Sequence, residues 1–382
     1  MKLTIATRDI LRALRVLGPI LARTNVNRVY ACQLLASGAN VIIRTLDNAW
    51  ETRLAIPATV DTPGHAWIPG DLLRAIPWAT LGETVHVQEV KSGLAVTSPA
   101  GTYTAGLMSK PKTQGIPQGA RAATAIPGPM LAQLLHLGMI ATIEQNIDKR
   151  WLLLYGADGT FTADAWNGMW LSRATAVVPT TQPVRCALPL AMALSIAQAA
   201  ALSETVTILT HPSKAVVTFA AGDSTLTTRI FQPDVADTTI ATLPDLGTWS
   251  TSLNASELAI AVRHALAVAG TDPTAAIRVH ASADTFTVWL APAPDHGRLA
   301  GFTTAVPATN HAPWTERLSG RALLRYLAPL GNTGVQLHQV GQDRGIWVTT
   351  TLPGLVFSGR LPAVDPARDT ALVADEPAIV TA

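Results

Sequence analysis

Cysteine is almost absent from this chain. Cys32 and Cys186 are the only two in 382 residues. They lie too far apart for any metal-ligand or redox spacing, so a disulfide framework is excluded and a reducing, cytoplasmic compartment is expected. Charge is scarce as well: Asp, Glu, Lys and Arg make up 14% of the chain, against 48% hydrophobic residues. Such a composition can bury a sizeable core and excludes a disordered protein. Yet no apolar run reaches the ~18–20 residues that span a bilayer. The opening MKLTIATRDILRAL has no cleavage-site pattern and does not read as a secretory signal. Catalytic signatures are missing too. The nine histidines form no HxH, HxxH or HExxH arrangement, and there is no G-x-S-x-G elbow, Walker loop or Rossmann glycine pattern. Asp234 and Asp237 are a close carboxylate pair, but they sit in a Pro-containing loop where turn capping is the expected role. No cofactor, metal site or catalytic centre is expected.

What charge there is lies unevenly. Residues 1–121 carry 13 Lys/Arg against 7 Asp/Glu, residues 122–245 carry 6 against 9, and residues 246–364 carry 8 against 6. The tail 365–382 carries 1 against 4 and reads as a disordered acidic extension. The N-terminal third is therefore where a polyanion is expected to touch.

A repeat organises the chain. Ile10-Leu11-Arg12-Ala13-Leu14 recurs as Leu72-Leu73-Arg74-Ala75-Ile76 and as Leu323-Leu324-Arg325-Tyr326-Leu327. Weaker copies start at Met130, Met192 and Leu258, so the six units are spaced 58 to 66 residues apart. Each opens with helix-start chemistry: Thr7, Pro69-Gly70-Asp71, Pro127-Gly128-Pro129, Pro189, Asn254 with Glu257, and Ser319. Alternating strand-like runs follow each helix, among them Asn40–Thr45, Thr84–Gln88, Thr205–Leu209, Ala276–His280 and Thr285–Trp289. One helix on a small sheet buries too little to stand alone, so the units pair. The expected fold is α+β: three similar domains, each of two helix-plus-antiparallel-strand units, at 1–122, 123–245 and 246–364. Gln118–Arg121 and Asp245–Gly247 are the expected linkers.

Order, length and six-fold repeat together resemble the bacterial DNA polymerase III beta subunit, the replicative sliding-clamp family. The resemblance spans residues 1 to about 364. It rests on Met1–Ile5, Leu11 to Leu14 and Gly18-Pro19 at the start. It rests further on Ala165–Leu171 against the family's A-T-D-G-H-R-L strand, on Phe231–Asp234, and on Leu361–Val364 against the short C-terminal hydrophobic motif. Asn167, Met169 and Trp170 replace the family's Asp, His and Arg, and the chain runs on past the family's usual end. It looks like a divergent member.

The resemblance implies a homodimer of three-domain protomers joined head to tail in a ring, helices lining the hole and sheets outside. Such a ring encircles duplex DNA and acts as processivity factor for a DNA polymerase, without catalysis. Sequence-independent encirclement needs only scattered positive charge on the inner wall. Arg8, Arg12 and Arg15 share one helix face by spacing, and Arg317, Arg321 and Arg325 do so if the sixth helix reaches back that far. Arg74 takes the same repeat position as Arg12 and Arg325, and Arg263 belongs to the fifth helix. By resemblance Arg23 sits in a DNA-touching loop, while Lys149, Arg150 and Trp151 lie at the rim, where an aromatic can stack on a base. Carried over likewise, the cleft that takes polymerase and clamp-loader peptides between the second and third domains involves Leu153, Gly168, Met169, Trp170, Leu171, Pro244, Leu361 and Pro362. The alternative is a clamp-like module that does not close on DNA and competes for or recruits clamp-binding partners.

Overall fold

Six helices form where the repeat places them: α1 (Thr7–Leu21), α2 (Gly70–Ala75), α3 (Gly128–Gly138), α4 (Leu190–Ala201), α5 (Ala255–Ala269) and α6 (Gly320–Leu327). The local chemistry explains their ends. Asn254 Oδ1 accepts from the backbone N–H groups of Ser256 and Glu257 at 2.9 and 3.3 Å, and Ser319 Oγ accepts from Ala322 N at 3.4 Å. α2 stops after six residues because Ile76, which precedes Pro77, takes an extended conformation (φ −67°, ψ 128°). The computed structural model describes residues 1–21, 31–46, 50–109, 120–144, 151–166, 170–211, 216–229, 249–270, 276–292, 300–339 and 345–364. Arg23, Lys149, Arg150, Gly168, Met169, Pro244, the Asp234–Asp237 pair and the acidic tail lie outside the described residues.

The chain divides into two compact units: Met1–His136 with Lys149–Ala163 and Ala176–Pro233, and Leu137–Asp148 with Asp164–Thr175 and Asp234–Ala382. In the first, β5 (Thr59–Thr62), β1 (Lys2–Ala6), β7 (Thr84–Val90), β8 (Gly93–Ser98) and β9 (Gly101–Ala105) form an antiparallel sheet in that order. A second sheet runs β10 (Arg121–Pro127), β15 (Thr205–Thr210), β16 (Val216–Ala221), β17 (Ser224–Arg229), β4 (Trp50–Pro57), β3 (Asn40–Leu46), β2 (Ala31–Ser37), β6 (Gly64–Pro69). β11 (Trp151–Ala157) pairs with β14 (Val184–Pro189). In the second unit, the start of β13 (Leu171–Val177) adjoins β25 (Leu355–Pro362), followed by β24 (Gly345–Leu352), β23 (Gly334–Gln339), β18 (Ser250–Asn254), β21 (Phe302–Asn310), β20 (Thr285–Leu290), β19 (Ala276–Ser282) and β22 (Trp314–Ser319). β12 (Thr160–Trp166) contributes its last residues to this unit.

Strand alternation sends every second side chain into a helix-covered core. Leu3, Ile5, Ile10, Leu17 and Ile20 are fully buried in the first unit; Leu258, Val262, Ile277, Val279, Phe286 and Leu323 are so in the second. Cys32 and Cys186 are buried, and desolvation pushes both thiols up to about 12.

One regularity matters for function. The third strand after α1 is β4, and it pairs with the third strand after α4, β17, from Ser224↔Leu54 to Thr228↔Trp50. The third strand after α3, β13, neighbours the third strand after α6, β25. The corresponding strands after α2 and α5 are β9, which ends its sheet, and β21, whose residues 302–307 pair only with β20 among the described residues.

Three expectations are corrected. Arg317 is not on a helix face: it lies in β22 opposite Arg278 of β19, because Ser319 caps α6 two residues later. Ala165–Leu171 is not one strand, since β12 ends at Trp166 and β13 begins at Leu171. Arg121 opens β10 instead of lying in a linker. Among the described residues no helix is long and apolar enough to cross a membrane.

Candidate functional site

Two sets of residues carry the candidate chemistry. The first is the exposed side of the helices. α1 buries Ile10, Ala13, Val16, Leu17, Ile20 and Leu21 on one side. The 3.6-residue period then leaves Arg8, Arg12 and Arg15 exposed together on the other. Arg12 Nη2 donates to Leu202 O, past the C-terminal end of α4, at 3.4 Å; a cation there is favoured by the helix dipole. Arg8 Nε stands 3.8 Å from Asp9 Oδ1, a pair too exposed to hold the guanidinium firmly. Arg74 on α2 is exposed while its neighbour Leu73 is buried. α4 presents no basic residue, so charge along these helices is uneven. In the second unit Arg263 of α5 and Arg321 of α6 are exposed, and Arg325 is half-buried. Trp151 opens β11 half-buried, opposite Pro189.

The second set gathers around one side chain that sequence reasoning did not single out. Tyr326 of α6 is 1% exposed. Its hydroxyl donates to Leu171 O at 2.8 Å and lies 3.1 Å from Arg360 O, linking the start of β13 to β25. Desolvation raises its pKa, so it stays a neutral donor. Trp170 stacks on it with ring centroids 6.4 Å apart at 25°, and Phe357 packs behind at 6.2 Å. A Cβ on Gly359 would stand 2.2 Å from Tyr326 Cε1, so only glycine leaves room for the ring. A Cβ on Gly345, paired with Pro362, would stand 2.2 Å from Leu361 O, which holds the end of β25 close to β24. The structure thus brings together Trp170, Leu171, Leu361 and Pro362 of the predicted cleft. Trp170 and Pro362 are half-buried, Leu171 is 8% exposed and Leu361 only 1%. Leu153 lies on β11 in the other unit, half-buried opposite Ala187.

The repeat held a signal for Tyr326. Its position is Ala13, Ala75, Gln133, Ser195 and Ala261 in the other five units, and an aromatic only here.

A second buried feature lies in the same unit as Trp170. Arg173 Nε and Nη2 donate to Asp164 Oδ1 and Oδ2, both at 2.8 Å, across β13 and β12. Asp164 is 1% exposed. Asp164→Ala should destabilise the fold by about 3–5 kcal/mol, because it removes the buried carboxylate from a two-pronged pair with the largely buried Arg173 guanidinium. Denaturant unfolding measures this as a lower midpoint at unchanged slope. A loss under about 1 kcal/mol would mean that water screens the pair.

No group of three or more potential metal-ligating His, Cys, Asp or Glu side chains stands together among the described residues. The geometry therefore offers positive helix faces and an aromatic shelf.

Comparison with solved structures matches this architecture over nearly the whole chain. The DNA polymerase sliding clamp of Pseudomonas aeruginosa aligns with TM-score 0.73 at 16% identity, covering 96% of this chain and 99% of that one. The DNA polymerase III beta subunit of Thermotoga maritima aligns with TM-score 0.77 at 11% identity, covering 95% and 99%. The beta sliding clamp of Caulobacter crescentus aligns with TM-score 0.75 at 17% identity, covering 96% and 99%. The fold is that of the bacterial DNA sliding clamps. No protein-family model matches the chain, and no curated protein matches its sequence. The sliding-clamp fold is thus carried here by a sequence diverged almost everywhere, which accords with a core that constrains burial more than identity.

Proposed function

We propose that this chain is the protomer of a ring-shaped DNA sliding clamp. Two copies join head to tail, encircle duplex DNA in the cytoplasm and tether a DNA polymerase as processivity factor, with no catalytic centre. Each protomer contributes three domains, at 1–122, 123–245 and 246–364. The clamp-loader and polymerase peptides bind at Trp170, Leu171, Leu361 and Pro362, with Leu153, Gly168, Met169 and Pro244 completing the cleft between the second and third domains. Arg8, Arg12, Arg15, Arg23, Arg74, Arg263, Arg321 and Arg325 touch phosphates, joined at the rim by Lys149, Arg150 and Trp151.

The observation that supports this best is the pairing of third strands. β4 with β17 joins the units of α1 and α4, and β13 beside β25 joins those of α3 and α6. The same step of three units, applied to α5, calls for the unit of α2 in a second copy. It would pair β21 of one protomer with β9 of the next. A head-to-tail contact of this kind closes when its rotation returns to the start. Scattered exposed arginines suit sliding, because phosphate contacts hold without reading sequence.

The test is absolute mass by light scattering over a concentration series. A stable species of twice 40.2 kDa is expected, retained on nicked circular DNA and lost from linear DNA. A persistent monomer overturns the ring and puts the non-closing, competitor module in its place.

A further inference from the structure

We propose that the acidic segment Asp365–Ala382 docks back, within its own chain, on the Trp170 shelf beside Leu361 and Pro362, and so competes with partner peptides for that surface. The inference rests on the cleft assigned under the proposed function and adds its regulation.

The segment begins three residues after Pro362. β25 ends at Pro362; Ala363 then pairs antiparallel with Leu318 at the edge of β22, and Val364 N donates to Arg317 O at 2.9 Å. That pairing cannot simply continue. In the same register Asp365 would face Glu316, acid against acid, and Pro366 has no N–H to donate. Continued pairing along β22 is therefore disfavoured from Asp365 on.

Charge then favours return over departure. Segments 314–330 and 355–364, which surround Tyr326 and the end of β25, carry Arg317, Arg321, Arg325 and Arg360 against Glu316 alone. The segment 365–382 carries Asp365, Asp369, Asp375 and Glu376 against Arg368. The two nets are +3 and −3.

Apolar content supplies the anchor. Ala371-Leu372-Val373 sits between Asp369 and Asp375, so aliphatic side chains arrive at the shelf with carboxylates on either side. Leu372 follows Val364 by eight residues, an extended reach of about 26–29 Å, ample to fold back on a surface that begins at the preceding strand. Trp170 offers a half-buried ring already fixed by Tyr326, so docking orders little besides the segment itself. An intramolecular occupant also works at high effective concentration, so a weak contact suffices to compete.

The test uses the full chain with benzoylphenylalanine in place of Leu372, mixed with an equal amount of ¹⁵N-labelled protein. After irradiation, cross-links to peptides carrying Trp170 or Leu361–Pro362 are expected within one isotopic species only. They should be lost in Trp170→Ala, and also in the folded-state control Asp369→Asn/Asp375→Asn/Glu376→Gln, which leaves every described residue intact. Cross-links to other surfaces, to the opposite isotopic species, or none at all overturn the proposal. Because no DNA or polymerase is present, this readout stands apart from ring formation: a dimer without the cross-link keeps the clamp and removes its regulation, and a monomer with it does the reverse.

Discussion

Replacing Arg8, Arg12, Arg15 and Arg74 together with alanine is expected to flatten the salt dependence of DNA retention. Each phosphate left without its arginine takes about 0.9 off the slope of log affinity against log salt, so four in each of two protomers take off up to about 7. All four side chains are exposed. Arg12 gives up only a long hydrogen bond to Leu202 O, at 3.4 Å, and Arg8 only its exposed pair with Asp9. The fold should therefore persist, and thermal unfolding serves as the control. Retention is measured on nicked circles from low to physiological salt. An unchanged slope would place the DNA-facing surface elsewhere. A uniform drop in affinity at unchanged slope would mean that these residues act by shape, not by charge.

Tyr103→Asp with Leu107→Asp is expected to convert the ring to monomer. Both side chains are exposed in the single chain, 38% and 45%, at and just beyond β9, the strand proposed to pair with β21 of a second copy. With somewhat under half of each side chain left to bury, each is worth roughly 0.6–1.3 kcal/mol at the junction. A two-protomer ring contains the junction twice, so the pair acts four times, about 2.5–5 kcal/mol per ring, before the added charges repel. Light scattering at micromolar concentration should report monomer, with retention on circular DNA abolished and unfolding unchanged. A dimer of undiminished stability would show that β9 is not the closing edge.

Much of the fold was legible in the chain. The five-residue repeat located six helices because each needs an apolar stripe at helical spacing, and because Asn254, Ser319 and the prolines mark starts by local hydrogen bonding and backbone restriction alone. Arg8, Arg12 and Arg15 could be placed on one face for the same reason. What failed in the reading failed at element ends. Arg317 reads as a turn earlier on the α6 stripe, but Ser319 starts the helix after it and the strand partner Arg278 claims it. The run Ala165–Leu171 reads as one strand, yet β12 and β13 divide it. Sequence distance also hid the role of Tyr326: it stands 155 residues from Leu171 and 34 from Arg360, and only folding brings the three together.

By itself the sequence determined the six-unit plan, the class of each element and the basic faces of α1 and α2. These follow from short-range periodicity and capping, which act within a few residues. Only the tertiary structure decided which third strands pair, where the Tyr326 hydroxyl donates, that Asp164 and Arg173 share a largely buried fork, and that β9 ends its sheet among the described residues. Those outcomes depend on close packing and hydrogen-bond geometry between segments far apart in the chain, and no local pattern encodes them.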